Sequence, residues 1–161
     1  MVPVISVVGR SNSGKTTLVE KLIKELNERG YKVGTIKHDA HSFDIDVPGK
    51  DSWRHTQAGA NPAVISSPEK LAMVKKVKQE MSLDEIVKKY VDDVDIVITE
   101  GFKSQDKPKI EVLPPGKKPI SSPSDLLAVA GEGAVDVDVP FFDRDDAEGI
   151  VLFLEENFLK S

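Results

Sequence analysis

The chain has 161 residues, 39% hydrophobic and 30% charged, with 27 acidic against 22 basic side chains and a formal charge of −5. That balance fits one soluble globular domain spanning 1–161 and argues against a nucleic-acid partner, which calls for a basic face. The absence of cysteine excludes disulfides, thiolate metal sites and cysteine nucleophiles.

No apolar run reaches the roughly 18 residues of a membrane-spanning helix. Met1-Val2-Pro3-Val4-Ile5 lacks the basic segment, apolar segment and cleavage site of a signal peptide. The expectation is a cytoplasmic protein with no membrane partner.

Val4-Ile5-Ser6-Val7-Val8 is short, β-branched and almost continuously apolar, the pattern of a strand buried on both faces of a sheet. A glycine-rich stretch follows. Leu18, Leu22, Ile23 and Leu26 then recur at helical spacing up to Gly30, a natural helix stop. Tyr31–Ile36 reads as a second strand, which completes a βαβ unit.

Residues 38–50 form a polar, aspartate-rich loop with a Pro48-Gly49 turn, and long loops of this kind usually carry function. A short helix is predicted from Asp51 to Ala58, with Trp53 half-buried. Ala63–Ser66 and Leu71–Val74 are predicted to form a hairpin across Ser67-Pro68-Glu69-Lys70. The stretch from Met73 to Val77 reads as core and dimer-surface material.

Ser82 and Glu85 form a capping box for a helix through Tyr90. Val94–Thr99 is a further buried strand, ending at Glu100-Gly101, and Lys109–Leu113 is another. Pro114 to Pro123 holds four prolines and a glycine and reads as irregular chain. Leu126–Ala130 and Val137–Val139 are the last predicted strands. A final helix is predicted to open near Asp145, with Glu148 closing its capping box. It buries Ile150, Val151, Leu154 and Phe158. The alternation predicts an α/β fold, a mostly parallel sheet flanked by helices with a β-hairpin extension.

Gly9-Arg10-Ser11-Asn12-Ser13-Gly14-Lys15-Thr16 fits G-x-x-x-x-G-K-[ST] between a strand and a helix, the context a phosphate-binding P-loop requires. Backbone N–H groups turned inward surround phosphate oxygens, and the helix dipole favours an anion at its N-terminus. Gly9, Asn12, Ser13, Gly14, Lys15, Thr16 and Thr17 are the candidate triphosphate-binding residues. Lys15 brings positive charge to the outer phosphates, and the Thr16 hydroxyl is a Mg²⁺ ligand.

Such a site needs a strand-end acid near the metal. Glu100 follows a buried strand directly and is the first candidate, whereas Asp95 stands at the wrong end. Asp39, just past the second strand, is the second candidate, for the metal or for an attacking water. Lys37, His38, Lys50, Arg54 and Lys103 are candidates for a second anionic ligand, and each could equally be ordinary surface.

The chain resembles the MobB family of molybdopterin-guanine dinucleotide biosynthesis adapter proteins. The resemblance rests on Gly9 to Thr17, on Lys37-His38-Asp39 with His41, Phe43-Asp44 and Asp46, and on Pro48-Gly49-Lys50-Asp51-Ser52 with Arg54 and Ala58-Gly59-Ala60. It continues through Glu100-Gly101-Phe102-Lys103 and Pro108-Lys109-Ile110-Glu111-Val112. It implies a dimeric protein that binds GTP with Mg²⁺ and hydrolyses it weakly. It also implies a MobA-like nucleotidyltransferase partner, which attaches GMP to molybdopterin. By position, Asn12 to Thr17 would hold the triphosphate, Thr16 and Glu100 the metal, and Lys37, Lys50, Arg54 and Lys103 the molybdopterin phosphate.

The guanine-reading Asn-Lys-x-Asp of GTPases is absent. The corresponding region reads Ala128-Val129-Ala130-Gly131-Glu132-Gly133, where Glu132 offers a carboxylate able to accept from guanine N1–H and N2–H₂. Two other classes remain open on the residues alone. A small-molecule kinase shares the P-loop, but the only arginines are Arg10, Arg29, Arg54 and Arg144, with no cluster to form a lid. A metal-delivery NTPase would have to build its site from His38, His41 and aspartates.

Overall fold

The strand Val4–Gly9 (β1) is buried at all six positions, because it lies in the middle of a sheet covered on both faces. The computed structural model describes residues 2–39, 41–133 and 136–160. In chain order the elements are β1, α1 (Lys15–Glu28), β2 (Val33–Lys37), α2 (Asp51–Gln57), β3 (Ala63–Ser66) and β4 (Leu71–Val74). They continue with α3 (Leu83–Tyr90), β5 (Ile96–Glu100), β6 (Lys109–Leu113), β7 (Leu126–Gly131), β8 (Phe141–Asp143) and α4 (Ala147–Leu154), closed by a π-helical turn, Glu155–Leu159.

The chain divides into two compact units, Met1–His38 with Ile86–Ser161, and Asp39–Glu85. In the first, six strands run in the order β2-β5-β1-β6-β7-β8, and every adjacent pair is parallel. Leu18, Leu22 and Leu26 of α1 and Ile150 and Leu154 of α4 pack with the strand residues Ile5, Val7, Ile98 and Ile110 in one apolar core. The predicted α/β class and its mostly parallel sheet are what the structure has. Two polar residues inside the core satisfy each other: the buried Thr99 hydroxyl donates to Ser6 Oγ at 2.9 Å.

Charged groups on β6 are buried for a structural reason. Lys109 Nζ donates to the Gln105 carbonyl and to Asp125, each at 2.7 Å. The Glu111 carboxylate accepts from the backbone N–H of Ile120 and of Ser121, both at 2.9 Å, and so organises the proline-rich stretch that has no ladder of its own.

The second unit holds α2 and the antiparallel hairpin β3–β4, closed as predicted by a turn in which Ser67 N–H donates to the Lys70 carbonyl at 2.8 Å. Ser82 and Glu85 form their capping box, with Glu85 N–H donating to Ser82 Oγ at 3.3 Å and Ser82 N–H to the Glu85 carboxylate at 3.0 Å. Trp53 is half-buried.

Three expectations are corrected. Val137–Val139 is not a strand: β8 starts at Phe141, and the ladder opens with Val129 N–H donating to the Pro140 carbonyl at 2.9 Å. Pro140 has no N–H to continue a ladder backwards. The last helix is capped by Asp146, whose side chain accepts from Gly149 N–H at 2.9 Å. Asp145 is diverted into an ion pair with Lys21 of α1. Met73 and Val77 are not core, being 39% and 51% exposed. Among the described residues no helix is long and apolar enough to cross a membrane.

Candidate functional site

The loop between β1 and α1 takes its shape from backbone geometry that few side chains tolerate. Gly9 has φ +150°, and a Cβ there would lie 2.7 Å from both Ser13 Oγ and the Val112 carbonyl oxygen, the second a backbone atom of β6 that cannot swing away. Asn12 sits at φ 57° and Gly14, the residue before α1, at φ 94°. Ser13 Oγ is buried and has no hydrogen-bond partner among the described residues. A buried hydroxyl left over in this way marks a place for a ligand oxygen.

Lys15, the first residue of α1, bends back so that Nζ donates to the Arg10 carbonyl at 2.7 Å. Burial and then the neighbouring Lys103 ammonium hold Lys15 below the ordinary lysine value, Glu100 pulls the other way, and Lys37 adds to the lowering. Three ammonium groups near one carboxylate are an anion site in electrostatic terms. Thr17 is exposed on the first turn of the helix.

Thr16 and Glu100, far apart in sequence, meet here. The Thr16 hydroxyl donates to the two Glu100 oxygens at 2.9 and 3.0 Å. Glu100 ends β5, which pairs with β1 in the register Val7↔Glu100 and with β2 in the register Lys37↔Glu100. Lys37 Nζ stands 3.6 Å from the same carboxylate. His38 N–H donates to the Glu100 carbonyl at 2.9 Å, and its ring packs on Phe102 at 4.8 Å between centroids. A Cβ on Gly101 (φ +96°) would meet His38 Cβ at 3.2 Å, so glycine lets these two segments close together.

On the other side of the loop, Glu132 follows β7 and Arg144 follows β8, and their side chains pair at 2.6 Å. Arg144 Nη2 also lies 3.4 Å from where a Gly14 Cβ would be. Sequence reasoning gave Arg144 no place in the site, since only the β7–β8 pairing brings it there. Arg29 is committed elsewhere, to Glu25 at 2.7 Å and Glu155 at 3.4 Å.

The remaining candidates belong to the second unit. Asp39 accepts from His41 N–H at 3.0 Å. Lys50 immediately precedes α2 and Arg54 lies one turn on, its N–H donating to the Lys50 carbonyl at 2.9 Å. A cleft lined by Asp46, Lys50, Ser52, His55 and Ile65 adjoins them. Among the described residues, no group of three or more His, Asp or Glu gathers as a metal cluster.

A glycine-rich loop leading from the central strand of a parallel sheet into a helix, faced by a strand-end acid bonded to the helix threonine, defines the P-loop NTPase fold class. The sequence profile described as Molybdopterin guanine dinucleotide synthesis protein B (MobB) matches residues 4–132, and the chain belongs to that family. It is 35% identical to the molybdopterin-guanine dinucleotide biosynthesis adapter protein of Haemophilus influenzae, over 96% of this chain and 88% of that protein. With the adapter protein of the same description from Escherichia coli it shares 34% identity, over 97% and 93%.

Among solved structures, the crystal structure of molybdopterin-guanine biosynthesis protein B (mobB) superposes with a TM-score of 0.73 at 35% identity, covering 95% of this chain and 98% of that one. Bacillus subtilis MobB superposes at 0.75 with 25% identity, covering 96% and 97%.

Proposed function

We propose that the chain acts in molybdopterin guanine dinucleotide biosynthesis as a GTP-binding adapter that hydrolyses GTP slowly and assists a MobA-like nucleotidyltransferase as it attaches GMP to molybdopterin. The biosynthetic role follows from the family and from the adapter proteins that the chain resembles over nearly its whole length. The observation that carries the nucleotide reading is the Thr16–Glu100 contact beside a loop whose buried Ser13 hydroxyl has no partner among the described residues.

The residues fit a triphosphate with Mg²⁺. Two hard oxygen donors, the Thr16 hydroxyl and the Glu100 carboxylate, lie together as a small divalent cation requires. When bound there, Mg²⁺ neutralises charge on the terminal phosphates. Inward-facing N–H groups of residues 9–16 and the Ser13 hydroxyl bind phosphate oxygens. Lys15 releases the Arg10 carbonyl and turns to the outer phosphates, with Lys37 and Lys103 adding positive charge that also suits a second anion such as the molybdopterin phosphate.

A homodimer working in the cytoplasm completes the reading. Its support is the hairpin unit, where Val64, Ile65 and Leu71 are each more than half exposed, an apolar surface of the kind that partners cover.

Calorimetric titration with non-hydrolysable GTP and ATP analogues, each with Mg²⁺, tests the proposal. The guanine analogue is expected to bind more tightly. Lys15→Ala should lose triphosphate binding on the order of a hundredfold or more while keeping its circular dichroism spectrum. Retained binding in that variant would refute the phosphate assignment, and preference for adenine would turn the reading towards a small-molecule kinase.

A further inference from the structure

The phosphate loop has two sides, and strand order assigns them. Thr16 and Glu100 lie on the β5 side of β1, while β6, β7 and β8 follow on the other side. A triphosphate whose outer end is held at Thr16 and Glu100 runs along the loop, so its nucleoside leaves towards the carboxyl ends of β7 and β8. Those ends carry Glu132 and Arg144.

The turn bearing Arg144 is firmly held. Arg144 N–H extends the β7–β8 ladder by donating to the Gly131 carbonyl at 3.0 Å. Asp143 accepts from Asp145 N–H at 2.8 Å, and Asp145 is ion-paired with Lys21 of α1, the helix that the phosphate loop opens. One guanidinium nitrogen therefore rests over Gly14, at the end of the loop, and another faces Glu132 at 2.6 Å.

We propose that Glu132 and Arg144 are together the base-reading pair of this protein and select guanine. The inference rests on the GTP-binding reading above. Side by side, the two groups present an acceptor next to a donor. Guanine's edge offers N2–H₂ and N1–H as donors and then O6 as acceptor, which matches a carboxylate followed by a guanidinium. Adenine offers an acceptor at N1 and then a donor at N6, the reverse order, and a ribose fixed by the phosphates prevents the ring from simply turning over. The planar guanidinium fork suits O6 and N7 in a way a lysine does not.

The pair's side chains are 42% and 51% exposed, and ion pairs in that setting contribute little to stability. Opening it to admit a base is therefore inexpensive. Desolvated under a bound base, the same charges interact more strongly.

The test titrates wild type, Arg144→Met, Arg144→Lys and Glu132→Gln with Mg²⁺ and, in turn, GTP, ATP and xanthosine triphosphate analogues and inorganic tripolyphosphate. Arg144→Met should bind the GTP analogue on the order of tenfold or more weakly, lose preference over ATP, and bind tripolyphosphate as wild type does. Arg144→Lys should restore only part of the preference. Glu132→Gln should turn the preference from guanine to xanthine, because an amide can donate to the xanthine 2-oxo group.

Equal weakening of GTP and tripolyphosphate in Arg144→Met would overturn the proposal and make Arg144 a phosphate contact. Unchanged guanine preference in every variant would reduce the pair to a surface ion pair. A wild type that binds tripolyphosphate but ignores the base would sink the GTP reading itself. Wild-type guanine preference that survives the substitutions would sink only the Glu132–Arg144 assignment.

Discussion

The two units of this chain use similar apolar segments to opposite ends. In the first, Ile5, Leu22, Ile98 and Ile110 are fully buried, and their packing holds the central strand end from which the phosphate loop springs. In the second, Phe43, Ile45, Val47, Val64, Ile65 and Leu71 are all more than half exposed. A two-stranded hairpin is marginal as an independent structure. Apolar character thus marks a buried scaffold in one unit and an exposed surface in the other.

The sharpest way to break that contrast is to truncate one leucine in each unit. Leu22→Ala should cost about 3 kcal/mol or more of unfolding free energy through cavity formation, while Leu71→Ala should change that of the monomer by no more than about 0.5 kcal/mol. Denaturant titration of both variants measures this, and equal costs would erase the distinction.

A charge on the exposed strand probes the second unit's role. Leu71→Asp is expected to shift a dimer towards monomer in sedimentation equilibrium while leaving affinity for the GTP analogue within about twofold. A dimer that tolerates the aspartate would place its interface elsewhere.

The smallest effect concerns the first unit's electrostatics. Free Lys15 is held below the ordinary lysine value by burial and Lys103, and a bound phosphate raises it again. Between the two values binding takes up a proton, so affinity falls as pH rises through that window. Titration in buffers of different ionisation enthalpy reads the proton count, and an uptake of zero across the alkaline range would remove Lys15 from the phosphates.

What could be read in advance follows from how local each signal is. The strands β1, β5 and β6 announce themselves because burial on both faces leaves near-continuous apolar runs, and Glu100 stands out as an acid directly after one of them. Burial itself is not legible: Val64-Ile65 is as apolar as Val7-Val8, yet only the latter is buried. The β8 strand was misplaced because Val-Asp-Val imitates strand alternation, while the true ladder waits for Pro140 to pass. Asp145 and Asp146 are equally good caps by type, and only a distant lysine on α1 separates their roles. Arg144 was invisible as a site residue for the same reason, since nothing near it in sequence points to Gly14.

The register of β1 also has a bearing on how the protein comes into being on the ribosome. Val4 pairs with Val97 and Ser6 with Lys109, and among the described residues β2 has only β5 as its neighbour. The phosphate loop is synthesised before β5 and β6, so the strand that aims it waits for both of its partners. Such distant pairings slow folding and leave apolar edges uncovered meanwhile. The nascent stretch from β1 to β2 is therefore the one a chaperone would shield, and ability to hold phosphate should arrive only once Lys109–Leu113 has left the exit tunnel.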